Sequence, residues 1–389
     1  MNIKKTLLLT AATALGFAAA EACTSWVIHS SATKSGLMTV NKCRDTNPER
    51  ISADFRRSPR GWRYLQLGRL NPALPSFGMN EKGVVTTCND GDQITVKHRR
   101  GEHIQLGSPS ILRQVLVECD NAYDGAVLIR DHCRAFRRPS GGGRNHGSTL
   151  MVADAKRAFL VDVGAGYGEI KEITSGMKVI SNKMHLPGVE AIGCSTLGAY
   201  LSDRARETNT RKVLNQHREN GKFTVQGTIR ACRAKCGEDL KDKYPFRRIT
   251  LGDTCFEIDP EFPAYLSTAY AAIGPQRHTV FLAIPMALGQ LPEKVSSGKW
   301  ADLAFAFRAK CGDEHPALDE LYAFEAKTFP EYERTREEAR RLLRAGKTAE
   351  AVELLNKCFE RQFKAADELL TRLAETTPKC EDPQKNLWN

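Results

Sequence analysis

Ala20-Glu21-Ala22-Cys23-Thr24-Ser25 is the stretch on which the reading of this chain turns. Upstream lie Lys4-Lys5 and an apolar run from Thr6 to about Ala18, so residues 1–22 carry the basic, apolar and small-residue parts of a secretory leader. Cleavage after Ala22 leaves Cys23 as the first residue of the mature protein. A terminal cysteine holds a thiol and an α-amine on one residue, a nucleophile with its own base. The apolar run is too short for a permanent span, and no later stretch approaches about 18 uninterrupted apolar residues. The expectation is an exported bacterial protein, periplasmic or secreted, with no stable membrane span. A lipidation motif is the rival, but the chain has Glu21 where small residues are expected and no leucine at Ala20. The two readings exclude each other, because acylating the amine would remove the base.

The 389 residues carry a formal net charge of +11 at pH 7. Basic groups cluster at Lys97–Arg100, Arg134–Arg138 and Arg340–Arg344, without interleaved aromatics that stack bases. This excludes nucleic acid as the expected partner and leaves a solvated basic surface. Twelve cysteines in an exported chain imply disulfides. With Cys23 set aside the number is odd, so at least one further thiol stays unpaired or pairs between chains. Cys232-x-x-x-Cys236 lacks a matching second pair, which favours a local disulfide or separate partners over a metal site.

From Thr24 to about Asn182 the chain reads mainly as strands. Ser25–His29 and Leu37–Asn41 flank the turn signal Lys34-Ser35-Gly36, and Gly83–Cys88 follows a turn at Met79–Lys82. Helix is expected from Ser108, with Pro109 at its first position, and around Asp124–Cys133. A Gly-rich loop at 139–147 lacks the Lys-Ser/Thr ending of a phosphate loop. Strands follow at Ser148–Ala153, Arg157–Val163, Glu169–Ile173 and from Lys178, then helices at Thr196–Asn215 and Thr228–Cys236. Leu266–Ala272 and His278–Ile284 read as a late hairpin. Strand-rich ends around central helices predict an α+β fold of stacked sheets covered by helices. From about Pro330 the composition turns to Glu, Arg, Lys, Ala and Leu with helical period, broken at Ala345-Gly346-Lys347. The expected division is a leader at 1–22, a catalytic domain at 23–329 and a helical tail at 330–389.

The order Cys23-Thr24-Ser25, Asn41-Lys42-Cys43-Arg44-Asp45-Thr46, Gly78–Val84, Asn89 and Ile180-Ser181-Asn182, with Leu266–Pro275 and Phe281–Pro285 later, resembles the cysteine N-terminal nucleophile hydrolases. The likeness is to the choloylglycine hydrolase and penicillin acyltransferase-like branches and covers about residues 23–290. It implies a four-layer αββα sandwich, here with a C-terminal helical extension, and hydrolysis of a linear, non-peptide amide through a thioester. It implies no metal and no organic cofactor. Carried over by position, Cys23 is the nucleophile, Arg44 the cation beside the thiol, and Asp45 the carboxylate that orients the amine. Asn47 stands where the bile-salt branch has that aspartate, which moves the expected substrate away from bile salts. Asn89 and Asn182 match the asparagines that donate to the oxyanion. The last arginine falls at Arg204 or Arg206, and Arg204 is the first choice.

Bland alternatives stand beside each assignment: Arg44-Asp45 as a surface pair, Asn89-Asp90-Gly91 as a turn, Asn182 as a cap and Arg204 as a solvated helix residue. The partner expected is a small-molecule amide, an acylated amino acid or amine first, and a homo-oligomer is compatible with the sequence. Acyl transfer and dipeptide cleavage are the alternatives within the enzyme class. Outside it stands an envelope lipoprotein lipidated at Cys23, whose helical tail binds a partner. Candidate pocket loops are Gly61–Pro75 and Arg134–His146.

Overall fold

Two antiparallel sheets lie face to face in the computed structural model, which describes residues 23–45, 51–69, 75–93, 108–135, 146–164, 167–186, 197–234, 246, 249–313, 315 and 317–380. The leader, Asn47, Cys194, Cys236 and most of the Gly-rich loop lie outside the described residues. The first sheet has the order β10-β1-β2-β11-β12-β13. Its strands are β1 (Thr24–Ile28), β2 (Met38–Asp45), β10 (Met177–Ile180), β11 (Thr250–Ile258), β12 (Thr268–Ile273) and β13 (Leu282–Pro285). The second sheet runs β3 to β9 in sequence order: β3 (Ile51–Arg57), β4 (Arg63–Arg69), β5 (Pro75–Asn80), β6 (Val85–Gln93), β7 (His146–Ala153), β8 (Ala158–Gly164) and β9 (Tyr167–Glu172).

The two-residue alternation of the strands sorts side chains into three cores. Val27, Val40, Phe256 and Leu282 meet Leu65, Phe77, Met79 and Leu160 between the sheets. On the outer face of the second sheet, Leu150, Val152, Phe159 and Val161 bury the apolar stripes of α1 (Ser108–Glu118) and α2 (Ala122–Ala135). On the outer face of the first, Trp26, Ile28, Tyr270 and Phe281 pack with α3 (Leu197–Gln216), α4 (Val225–Cys232) and the long hairpin α6 (Leu318–Arg344) and α7 (Thr348–Thr376). The helix α5 (Lys299–Cys311) closes the inter-sheet core through Trp300 and Phe307. The layers are therefore helix, sheet, sheet, helix, and the helical C-terminal region is present.

Most expected elements are found within a few residues. The predicted break at 345–347 separates α6 from α7, where Gly346 takes a left-handed φ of 75°. Residue 330, the expected start of the tail, sits inside α6, which runs through Pro330. Gly61–Pro75, read as a loop, contains β4. No helix of the described residues is long and apolar enough to cross a membrane. The disulfide expectation is corrected: Cys43, Cys119, Cys133, Cys232, Cys255, Cys311 and Cys358 are buried free thiols. Cys43, Cys232, Cys255 and Cys358 lie in the outer core of the first sheet, Cys119 and Cys133 in that of the second, and Cys311 in the inter-sheet core.

Candidate active site

Strand register builds the site. β1 and β2 pair antiparallel with Thr24 opposite Cys43, so the next step sets Cys23 beside Arg44. β10 pairs on the other side of β1 with Ser25 opposite Ile180. Continuing that register places Asn182 across from Cys23. Residues 38, 40, 42 and 44 of β2 share the face that looks between the sheets, as do Val85 and Asn89 of β6. The polar residues Lys42, Arg44 and Asn89 thus occupy one end of an otherwise apolar inter-sheet core.

Cys23 is fully buried. Arg44 Nη1 approaches its Sγ at 3.6 Å, and Sγ lies 3.7 Å from the carbonyl oxygen of Asp45. Arg44 also borders a small cleft walled by Ile51, Leu67, Phe77, Ala272 and Ile273. The Asp45 side chain is buried and accepts from Thr250 Oγ1 at 2.5 Å across β11.

Asn89 belongs to strand β6 and not to a turn. Its Oδ1 accepts from Lys42 Nζ at 2.6 Å and Ser25 Oγ at 2.7 Å. Its Nδ2 donates to the carbonyl oxygens of Ile180 and Ser181, both at 3.2 Å, and of Cys23 at 3.5 Å. The amide therefore clamps the start of β1 to the end of β10 and bridges the two sheets. This differs from the sequence expectation of a donor aimed at substrate. Lys42, the buried ammonium that fixes this clamp, also donates to Cys88 O at 2.5 Å. Sequence reasoning passed over it, and the only signal was its strand phase, shared with Val40 and Arg44.

Asn182 is held from behind by α3. Arg206 Nη2 donates to Asn182 Oδ1 at 3.1 Å and pairs with Asp203 one turn earlier. Glu207, on the same helix face, accepts from Ser181 N at 3.1 Å, Ser181 Oγ at 2.7 Å and contacts His185 Nε2 at 2.6 Å. Burial pushes the Glu207 carboxyl up, but His185, Lys183 and Ser181 outweigh it and bring it down to about 2. Asp162 of β8 clamps the following residues, accepting from the backbone of His185 and Leu186 at 2.5 and 2.7 Å. Arg204 is exposed, whereas Arg206 is buried. The preference for Arg204 is thus corrected: residues 203, 206 and 207 fall on the buried face of the helix, and 204 lies about 200° from 206 on a 3.6-residue turn.

Behind β2, Asp253 accepts from the Cys43 thiol at 2.5 Å and from Asn41 Nδ2 at 3.0 Å. Burial raises its carboxyl to about 7 from 3.8. An acid with a raised folded pKa binds its proton more tightly folded than unfolded. Its stabilising contribution is complete below about 4 and is lost as pH rises through about 7. The shift corresponds to at most about 4 kcal/mol. Asp253→Asn is expected to flatten the fall in melting temperature between pH 5 and pH 8, and to exceed the parent at pH 8. A parallel pair of pH profiles would show that Asp253 stays ionised throughout.

No family model and no curated protein matches the chain. Solved structures of similar shape include an N-acylethanolamine-hydrolyzing acid amidase ortholog of Caenorhabditis elegans, 12% identical, covering 62% of this chain and 95% of that one, at a TM-score of 0.42. A mutant of the conjugated bile acid hydrolase of Clostridium perfringens is 12% identical over 68% of this chain and 92% of its own, with a TM-score of 0.41. The penicillin V acylase of Agrobacterium tumefaciens is 14% identical over 68% and 86%, with a TM-score of 0.39. Likeness at this level assigns no role to any residue, and the roles below rest on the geometry of this chain.

Proposed function

We propose that this chain is an exported amidohydrolase of the cysteine N-terminal nucleophile type, cleaving a linear amide through a thioester on Cys23. The observation that carries the reading is the guanidinium of Arg44 at 3.6 Å from a buried cysteine that stands directly after a leader-like segment. Removal of residues 1–22 turns the Cys23 amide nitrogen into an amine of pKa about 8, suited to take the thiol proton near neutrality.

The Cys23 sulfur then bonds to the substrate carbonyl carbon, and the carbonyl π electrons move onto oxygen. Asn182, oriented by Arg206, supplies a donor for that oxyanion. Collapse breaks the C–N bond, and the ammonium of Cys23 passes its proton to the leaving nitrogen. Water, deprotonated by the same amine, attacks the thioester and releases the carboxylic acid and the thiol. Asp45 orients the amine, and Asn89 with Lys42 fixes the backbone from which Cys23 projects. The apolar walls of the cleft beside Arg44 support an apolar acyl group on the substrate, an N-acyl amine or N-acyl amino acid.

Intact mass and N-terminal sequencing of the exported protein test the premise. The expected chain begins at Cys23 with an unblocked amine. A start elsewhere, or an acylated Cys23, would overturn the mechanism and select the lipoprotein alternative.

A further inference from the structure

At the far side of the first sheet, three strands along from β1, a second constellation of chemistry-bearing side chains is buried. His278 comes from the connection between β12 and β13, Cys311 is the last residue of α5, and His315 follows it by four residues. One ligand atom from each, a ring nitrogen or Sγ, lies within 4.8 Å of the other two. The imidazoles are tilted by 40° with centroids 4.6 Å apart.

Both rings are anchored in the same way. His278 Nε2 meets Gly312 O at 2.6 Å, and His315 Nε2 meets Arg277 O at 2.7 Å. A carbonyl accepts, so each Nε2 carries the hydrogen and each Nδ1 carries a lone pair. Histidines that ligate metals are oriented by this second-nitrogen contact. Among the described residues, Nδ1 of His278 has no hydrogen-bond partner although the residue is fully buried. A buried acceptor left in that state is unfavourable, and a ligand removes the penalty. Of the two arginines beside His278, Arg308 pairs with Asp313 at 2.7 and 3.0 Å, and Arg277 donates to the carbonyl oxygens of Asp313 and Arg233 at 3.0 and 2.8 Å.

We propose that His278, Cys311 and His315 bind a divalent, thiophilic metal ion of the zinc class. Two imidazoles and a thiolate are ligands for such an ion, with metal–nitrogen distances of about 2.0–2.1 Å and metal–sulfur of about 2.3 Å. Tetrahedral ligand atoms then stand about 3.3–3.8 Å apart, so side-chain rotations that close the triangle by about 1 Å suffice. On binding, the Cys311 thiol gives its proton to solvent and its sulfur pair to the metal. The three side chains leave the fourth position of a tetrahedral ion to water. The ion then ties the β12–β13 connection, the end of α5 and the link from α5 to α6 into one knot, a structural role separate from the Cys23 thiol.

The test uses the full mature chain carrying Cys23→Ala, which removes the amine–thiol chelate at the other site. Equilibration with cobalt(II) alone is expected to give about one ion per chain, with the thiolate charge-transfer absorption and intense d–d bands of tetrahedral sulfur coordination. Zinc alone should displace the cobalt and raise the melting temperature. Cys311→Ser should abolish the charge-transfer band, and His315→Gln should weaken binding by about 10-fold or more. Absence of the charge-transfer band in the folded Cys23→Ala chain overturns the proposal. So does a peptide map of freshly purified protein in which Cys311 and Cys380 form a disulfide.

Discussion

Cys23→Ala is expected to lower amide hydrolysis by about 10³-fold or more while leaving the melting temperature within a few degrees of the parent. The size follows from the proposed role: if Cys23 forms the thioester, only binding and oxyanion stabilisation remain in the variant to speed direct attack by water. The small structural effect follows from the contacts, since among the described residues the polar neighbours of Sγ are Arg44 at 3.6 Å and Asp45 O at 3.7 Å, both long. Cys23→Ser is the sharper comparison. It keeps the shape but raises the nucleophile's pKa far beyond the reach of an amine near pH 8, so a residual rate well below the parent is expected. The substrate panel should contain N-acyl amines, N-acyl amino acids, conjugated bile salts and dipeptides, read by release of the free amine. A cleavage rate that Cys23→Ala leaves unchanged would mean that the nucleophile lies elsewhere. A chain inactive on every substrate, with a correctly processed free Cys23, would move the reading towards acyl transfer.

What the sequence made legible follows the physics of each element. Period-two strands such as β1 and β7, and helices with an N-terminal Pro, such as α1, were readable because one local signal dominated. β11 was missed because Asp253 and Glu257 interrupt its apolar run, yet both are buried, satisfied by Asn41 and Cys43 in one case and Arg336 in the other. β3 and β4 were missed because exposed arginines at 56, 57 and 60 mask their alternation. Cys23, Arg44 and Asn182 were proposed from their order along the chain, and the register of β1 with its two neighbours brings them together. Lys42 and Glu207 were invisible because a lysine and a glutamate read as solvated groups until a fold buries them. The choice between Arg204 and Arg206 needed the phase of α3, which its low amphipathicity does not declare. The cysteine count pointed to disulfides, whereas the fold uses these thiols as small apolar groups buried in its three cores.

Glu325→Ala should destabilise the protein by about 3–5 kcal/mol, a much larger effect than loss of any surface pair. Arg233, at the C-terminal end of α4, is fully buried and faces Glu325 of α6 through two contacts of 2.5 and 2.6 Å. The same guanidinium donates to Gln276 O at 2.5 Å and Thr279 O at 2.8 Å, and Glu325 accepts from Phe281 N at 2.8 Å. One ion pair thus fastens the C-terminal hairpin to the β12–β13 connection that also carries His278. Truncating Glu325 leaves an uncompensated charge and an unsatisfied backbone N–H in a buried place, and both penalties add. Glu325→Gln should cost less, because it keeps an acceptor for Phe281 N, but it still strands the Arg233 charge. The double variant Arg233→Met with Glu325→Leu should recover part of the loss by removing both charges, though not all, since Gln276 O and Thr279 O lose their donor. Glu261→Ala, which breaks the exposed pair with Arg344, provides the contrast and should shift stability by less than about 1 kcal/mol. Chemical denaturation of the four variants reads the series directly. If Glu325→Ala falls with Glu261→Ala, the hairpin is held by its apolar face alone and the ion pair contributes nothing to the attachment. If it falls by several kcal/mol in a single transition, the hairpin and the sandwich unfold as one cooperative unit, because the penalty is then felt by the whole molecule and not by a tail that frays on its own.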